Sequence, residues 1–589
     1  MFGDFEIREL PLSLTATKKK VESFLLSQGL RMENLDRYFG IFDMNDTLVG
    51  GGGLQGNVVK CIALSESTRN ESLTNPLMSR IREAAMADGH YDLLLFTKPE
   101  NQRIFESLAF HTVGKADKAL LLESNPRGIS GYCKKLSGIL PQSKESRNGV
   151  IVMNCNPLTK GHMFLIEAAA KQVDFLYIIP VMEGDSEYSY AERTAMIKAA
   201  TKDIRNTAVC PGSQYSISQA TFPTYFLKDL NDAAKTHIEL DLDIFSNHIA
   251  PALNASVRFV GTEPLDALTC EYNAVMKRIL PSKGIEVVEI ERQSLNDIVI
   301  SASKARTLAE TGNASEALKL LPETSVPYLL AHTACLSLKK ELEATPKPGL
   351  VDRNDNGSHT DMDFSIMSRS IEALKPYFTE FSRLGTDTSL PSHDAVAKAG
   401  MEAEKAMKSA TGGVNTHRGA LFCIGLTTIA AANAYHNTGH IEENGLRDRI
   451  TRLASGFAGE KDSHGGEARR KYGLKGAAEM AQDAYSELFS EWLPFYRSVK
   501  ERNDGAILTL LKIMSTLEDT NLYHRGGEEG AAFAKETARD LLKDCKASAL
   551  EKANADFIAR NLSPGGAADM LALTFFIDSV LHIDPEINE

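Results

Sequence analysis

Past residue 330 the β-branched apolar runs that punctuate the chain stop, and Ala-, Leu- and Glu-rich segments broken by Gly-rich turns follow. A sheet needs such runs and a helical bundle does not, so this change predicts an all-helical domain over residues 330–589. Upstream, residues 145–325 repeat strand then helix, with apolar strands at Val150–Met153, Phe175–Val181, Val257–Val260 and Val287–Ile290. That alternation predicts a parallel sheet covered on both faces. Residues 1–125 mix short strands (Tyr38–Phe42, Val58–Leu64, Tyr91–Thr97) with helices (Lys18–Gln28, Met78–Asp88). Boundaries are expected near Ser124–Gly128 and Pro322–Pro327, and 589 residues exceed what one core can organise.

A net charge of −13 argues against nucleic acid or an acidic membrane as the main partner. The longest apolar stretch, Ala420–Ala434, is too short to span a bilayer and contains Thr427, Thr428 and Asn433. No export signal is read at the N-terminus. Eight cysteines without a C-x-x-C pair are expected to be free thiols in a reducing cytoplasm, with no structural zinc.

The stretch GVIVMNCNPLTKGHMFLIEAAAKQ, Gly149–Gln172, reads as strand, tight turn and amphipathic helix. Its turn concentrates Asn156, Thr159, Gly161 and His162 at a helix start, where free N–H groups and the dipole favour an anion. Downstream, IVISASKARTL places Ser301, Ser303, Lys304 and Arg306 where a strand passes into a helix. In a doubly wound sheet the two segments would share the crevice at the strand ends and surround a triphosphate. There His162 would stabilise charge developing in the transition state.

The two segments together resemble the T/H-x-G-H nucleotidylyltransferases, and the wording MNCNPLTKGHMFLIEAAA resembles the citrate lyase ligase family. That resemblance implies a Rossmann-like domain that makes acetyl-adenylate from ATP and acetate. The acetyl group then passes to the prosthetic-group thiol on the citrate lyase acyl carrier subunit. It implies phosphate roles for Thr159, His162, Ser303 and Arg306, a further contact from Arg193, and a place near the nucleotide or the acyl group for Gly261–Glu263 and Asn273.

Asn101–Gly114 (NQRIFESLAFHTVG) resembles the closing segment of the GNAT acetyltransferase fold. The turn that would hold CoA pyrophosphate reads Arg69–Thr74, with Ser72 and Thr74 in place of glycines. The first domain is therefore expected to be a scaffold or a docking surface rather than an acetyltransferase.

Five Gly-punctuated polar segments mark the helical part: Thr345–Phe364, Thr411–Phe422, Asp462–Gly473, Glu518–Gly527 and Asn561–Gly566. Joined by helices, they are expected to build one pocket at the bundle end. They resemble the triphosphoribosyl-dephospho-CoA synthase family, which transfers the triphosphoribosyl group of ATP to the 2′-hydroxyl of 3′-dephospho-CoA and releases adenine. The resemblance leads to Asp361 and Asp363 as Mg²⁺ ligands, Arg353, Arg418 and Arg525 as phosphate contacts, and His359 or His417 for proton transfer. A chain joining both families would mature and activate citrate lyase. The alternatives are a malonate decarboxylase prosthetic-group synthase with a diverged adenylyltransferase, or a non-catalytic nucleotide-binding scaffold.

Overall fold

The computed structural model describes residues 5–68, 72–139, 146–182, 186–216, 222–227, 231–262, 267–291, 294–295, 298–457, 468 and 470–581. At 231–232, 267–268, 294–295 and 298–299 it describes the backbone only. The chain forms two compact units, Met1–Asn156 with Gly161–Ile300, and Pro157–Lys160 with Ser301–Glu589.

The first unit contains two large sheets and a two-stranded pairing of Ser294–Leu295 with Ile298–Val299. Strands β1 (Glu6–Leu10), β2 (Arg37–Phe42), β3 (Leu48–Gln55), β4 (Val58–Leu64), β5 (Leu94–Thr97), β6 (His111–Lys115) and β7 (Leu120–Glu123) make the first. Their order is β1-β2-β3-β4-β5-β7-β6, and every neighbour is antiparallel except β4 with β5. Strand β3 reads LVGGGGLQ, with four consecutive glycines inside a strand. Here the missing side chains are a packing requirement. A Cβ on Gly51 would lie 2.5 Å from Tyr38 Oη and 2.7 Å from the Phe39 carbonyl. Strands β4 and β5 pair only at Val58 with Leu94 and Val59 with Leu95. Tyr225 enters beside that short ladder. It is fully buried between Cys61 of β4 and Phe96 of β5, and its hydroxyl donates to the Phe96 carbonyl (2.9 Å). Arg31 holds the inserted segment through the Thr224 and Leu227 carbonyls (3.0 and 3.1 Å).

The second sheet is wholly parallel. Strands β8 (Asn148–Met153), β9 (Phe175–Pro180), β10 (Thr207–Val209), β11 (Ala255–Gly261) and β12 (Glu286–Ile290) run in the order β10-β9-β8-β11-β12. The winding reverses beside β8, the position at which such sheets open a crevice at their carboxyl ends. Phe24, Phe96 and Leu121 of the first sheet region share one buried cluster with Val150, Tyr177 and Ile179 of the second. The two sheets therefore grow from a common core.

The second unit is helical. Helices Arg418–Thr438 and Gly565–Val580 are apolar nearly all round and lie at its centre, packed against each other and against Val326–Glu343. Thr427 and Thr428 are tolerated there because each hydroxyl donates to the carbonyl four residues earlier (2.7 Å). Asn433 donates to the Asp387 carbonyl and accepts from Arg449 (2.7 and 2.9 Å). Among the described residues no helix is long and apolar enough to cross a membrane. Residues 301–325, expected to close the α/β part, pack with the helices. The Ala314 N–H donates to Ser579 Oγ (3.3 Å), and Tyr435 Oη donates to the Leu318 carbonyl (3.0 Å).

Candidate functional site

A cavity of about 1170 Å³ opens within the helical unit. Pockets for one small ligand usually measure about 300–1,000 Å³, so this one lies just above that range. Four of the five polar segments reach its wall, through Lys347 and His359, His417 and Arg418, Asp519 and Arg525, and Ser563. Of the Asp462–Gly473 segment, His464, Glu467 and Arg469 lie outside the described residues.

The Thr345–Phe364 loop is held closed by its own polar side chains. Asp352 accepts from the Lys347 and Asn354 N–H groups (2.7 Å each), and Asp355 accepts from Asn554 Nδ2 (2.8 Å). Gly357 has φ +54°, and a Cβ there would lie 2.5 Å from the Leu350 nitrogen, so the turn tolerates no side chain. His359 Nε2 meets Ser563 Oγ (2.8 Å), while its Nδ1 faces Arg525 Nη2 (3.4 Å) and Asp361 Oδ1 (3.8 Å). Burial and Arg525 hold the His359 imidazole below its ordinary value. Arg525 also donates to the Ser358 carbonyl (2.9 Å), just before Gly527 (φ +63°) breaks its helix.

Two expected ligands sit elsewhere. Arg353 is exposed, paired with Glu343 (2.8 Å) and stacked over Phe364, and is not part of the cavity wall. Asp363 caps the helix Phe364–Leu384, its Oδ1 accepting from the Ile366 N–H (2.7 Å), a local bond that its position before an apolar helix favours. Asp361 does line the cavity, well exposed. Among the described residues no three His, Cys, Asp or Glu side chains converge as a metal site.

Sequence reading did not single out Lys347, Glu341 or Asp569. Lys347 and Glu341 form an ion pair deep in the wall (2.5 Å), and Lys347 Nζ also donates to the Glu341 carbonyl (2.8 Å). Asp519 and Asp569 lie close by. Asp519 accepts from the Asn521 and Ala567 N–H groups (2.8 and 2.9 Å), yet burial still pushes it up to about 6. A carboxylate early in the apolar run Gly565–Val580, which also holds Asp578, was the available signal for Asp569.

His417 is buried. Its Nδ1 lies 2.8 Å from Ser370 Oγ, which also accepts from the Thr416 hydroxyl (2.7 Å), and its Nε2 has no hydrogen-bond partner among the described residues. Burial, with the Lys347 charge second, pushes the imidazole down to about 3 from 6.5. A folded-state value below the unfolded one means stability present above about pH 6.5 is lost as pH falls toward 3. Asp519 acts oppositely between 3.8 and about 6, because its folded-state value is raised. His417→Gln is therefore expected to remove the loss of stability that the imidazole contributes as pH falls below about 6.5. Urea titrations of both proteins at pH 7 and pH 4.5 check this, and an unchanged difference would contradict a buried neutral imidazole.

In the first unit, Arg193 is wholly buried. Its Nη1 donates to the Asn154 and Val181 carbonyls (2.8 Å each) and its Nε to the Tyr188 carbonyl (3.0 Å), so it braces the ends of β8 and β9 with those donors. Asn156 is also buried and accepts from the Tyr188 N–H (3.1 Å). A Cβ on Gly161 would lie 3.1 Å from the Ile300 carbonyl, which explains a glycine at the helix start. His162 stands on the first turn of Lys160–Ala170, half-buried. Asn273 donates to the Gly261 carbonyl (3.0 Å), while Glu263 lies outside the described residues. In the second unit, Thr159 is buried and Ser301 caps Ala302–Glu310 by accepting from the Lys304 N–H (3.1 Å). Ser303 is exposed and accepts from Arg306 Nη2 (3.3 Å). Of the Arg69–Thr74 turn, Arg69–Glu71 lie outside the described residues, and Ser72 has φ +54°. Arg418 lines the cavity beside Glu404 (3.3 Å).

Two family models match the chain. Residues 148–329 match the citrate lyase ligase C-terminal domain, and residues 327–586 match ATP:dephospho-CoA triphosphoribosyl transferase. The citrate (pro-3S)-lyase ligase of Klebsiella pneumoniae is 37% identical over 53% of this chain and 92% of its own length. That of Escherichia coli K12 is 33% identical over 56% and 95%. The 2-(5″-triphosphoribosyl)-3′-dephosphocoenzyme-A synthase of Klebsiella pneumoniae is 38% identical over 41% of this chain and 88% of its own length. The first two alignments and the third each cover nearly a whole relative, so this chain belongs to the citrate lyase ligase family in its first part and to the triphosphoribosyl-dephospho-CoA synthase family in its second, as a fusion of the two.

Proposed function

We propose that the chain is a bifunctional maturation and activation enzyme for citrate lyase. The ligase part joins acetate to the prosthetic-group thiol of the acyl carrier subunit through acetyl-adenylate, releasing AMP and pyrophosphate. The synthase part moves the triphosphoribosyl group of ATP onto 3′-dephospho-CoA and releases adenine. The observation that carries this is near-complete coverage, within one chain, of a relative named as a ligase of citrate lyase and of one named as a triphosphoribosyl-dephospho-CoA synthase. The ligase relatives also argue against the malonate decarboxylase alternative.

We read the architecture as three domains, a GNAT-like one over 1–125, a Rossmann-like nucleotidylyltransferase over 145–325 and an all-helical synthase over 330–589. Tyr225 buried between β4 and β5 supports a scaffold role for the first. In the second, Asn156, Thr159, Gly161, His162, Ser301, Ser303 and Arg306 are assigned to ATP, with Arg193 bracing the strand ends. In the third, Arg418 and Arg525 are assigned to phosphates. His417 is the better candidate for proton transfer, since both nitrogens of His359 already face partners. With its Nδ1 hydrogen donated to Ser370, Nε2 keeps a lone pair for the attacking hydroxyl. Mg²⁺ takes one or two carboxylates plus substrate phosphates, and it would neutralise the triphosphate charge. Asp361 suits that role better than Asp363. The free thiols of all eight cysteines support action in the cytoplasm.

Two incubations test the reading. ATP with dephospho-CoA is expected to yield adenine, and ATP with acetate and deacetylated citrate lyase is expected to yield AMP and pyrophosphate. ADP in the second would eliminate the adenylate route, and no adenine in the first would eliminate the synthase.

A further inference from the structure

Cleaving the bond between ribose and adenine leaves negative charge on the base, and a proton must reach it. The helix Gly565–Val580 carries two carboxylates along an otherwise apolar run. Asp578 is matched by Arg497 and Lys500 (2.6 and 3.2 Å). Asp569 faces the cavity, partly accessible from inside it though deep in the unit, and among the described residues no cation pairs with it. The groups around it are the carboxylates of Asp519 and Glu341, the Cys423 thiol, the Tyr485 hydroxyl and the Ala420 N–H. Gly419 leaves room for the carboxyl, because a Cβ there would come within 2.9 Å of the carboxyl carbon. Burial and the two neighbouring anions push the Asp569 carboxyl well above its ordinary value, and the Ala420 N–H opposes them too weakly to reverse it. Asp519 is a poorer acid, since both its oxygens already accept backbone N–H groups. Acidic residues alone specify no ligand. The same cavity wall also carries buried His417 with its Nε2 unpartnered among the described residues, the complementary group that a two-proton displacement requires.

Resting on the synthase reading above, we propose that Asp569 is the catalytic acid that protonates the departing adenine. The bond from the anomeric carbon of ATP to adenine N9 breaks, and its electron pair goes to the base. The Asp569 proton goes to a ring nitrogen of that base. The hydroxyl oxygen of dephospho-CoA forms the new bond to the anomeric carbon, and its proton goes to His417 Nε2. That hydroxyl becomes strongly acidic as it bonds to a cationic carbon, so a weakly basic imidazole suffices. The imidazolium, disfavoured by burial beside Lys347, then returns the proton to the Asp569 carboxylate.

The test compares ATP with N7-methylated ATP, whose base departs without taking up a proton. Asp569→Asn is expected to slow adenine release about 10²- to 10⁴-fold and to release the methylated base at close to the wild-type rate. Equal loss on both substrates, with an unchanged thermal midpoint, overturns the proposal. Should the methyl group bar entry or the variant fail to fold, Asp569→Glu and the wild type are compared in H₂O and D₂O with ATP. A solvent isotope effect on the wild type that changes in the variant supports proton delivery, and no effect in the wild type overturns it. Absence of adenine from wild-type protein with ATP and dephospho-CoA would instead refute the synthase reading itself.

Discussion

Lys347→Met is expected to cost the helical unit about 3–5 kcal/mol of stability, the range for removing one partner of a buried ion pair. Lys347 and Glu341 are both almost wholly inaccessible, and Lys347 Nζ lies 2.5 Å from Glu341 Oε1. Without the ammonium, Glu341 would stay buried beside Asp569 and Asp519, three carboxylates with no adjacent counter-charge. Glu341→Leu combined with Lys347→Met is expected to recover much of the loss, because removing both charges also removes their desolvation. The chain's only tryptophan, Trp492, is buried in this unit with its indole N–H on Thr516 Oγ1 (3.0 Å), so its fluorescence in urea follows the relevant transition. A change below about 1 kcal/mol, the scale of an exposed pair, would show that the pair is not buried in solution.

His162→Ala is expected to lower formation of AMP and pyrophosphate about 10²- to 10³-fold, the usual effect of deleting one donor to a developing charge. Adenine release by the same protein is expected to stay unchanged. His162 stands on the helix Lys160–Ala170 of the α/β part, whereas the cavity wall is drawn entirely from residues 338–572. Asp361→Ala is expected to do the reverse. Loss of both activities from either substitution, in protein with a wild-type thermal midpoint, would refute independent sites.

Strand and helix periods carried most of the architecture. The expected strands starting at residues 38, 58, 91, 150, 175, 257 and 287 all occur, with ends shifted by a few residues. Strand β3 was illegible because four consecutive glycines imply a turn locally. Only the approach of Tyr38, Phe39 and Leu64 makes glycine obligatory there. The segment from Ser301 to Pro322 reads as the end of an α/β repeat, yet its helices bury against Tyr435 and Ser579 of the helical unit. Arg193 has the sequence context of a phosphate contact, but its exposure could not be inferred, and the carbonyls around it come from three separate turns of chain.

By itself the sequence determined the two families, the switch from sheet to bundle and the polar segments that line the cavity. Those depend on the order and spacing of residues, which the chain states directly. The tertiary structure alone decided which charges are buried and which are paired. Asp363 looks like a metal ligand and caps a helix, Arg353 looks like a phosphate contact and faces outward, and Asp569 looks like a stray acid and sits among carboxylates. The protonation state of a side chain is governed by neighbours within a few ångströms, and here Glu341, Asp519 and Asp569 converge from far-separated positions, a proximity that only folding creates.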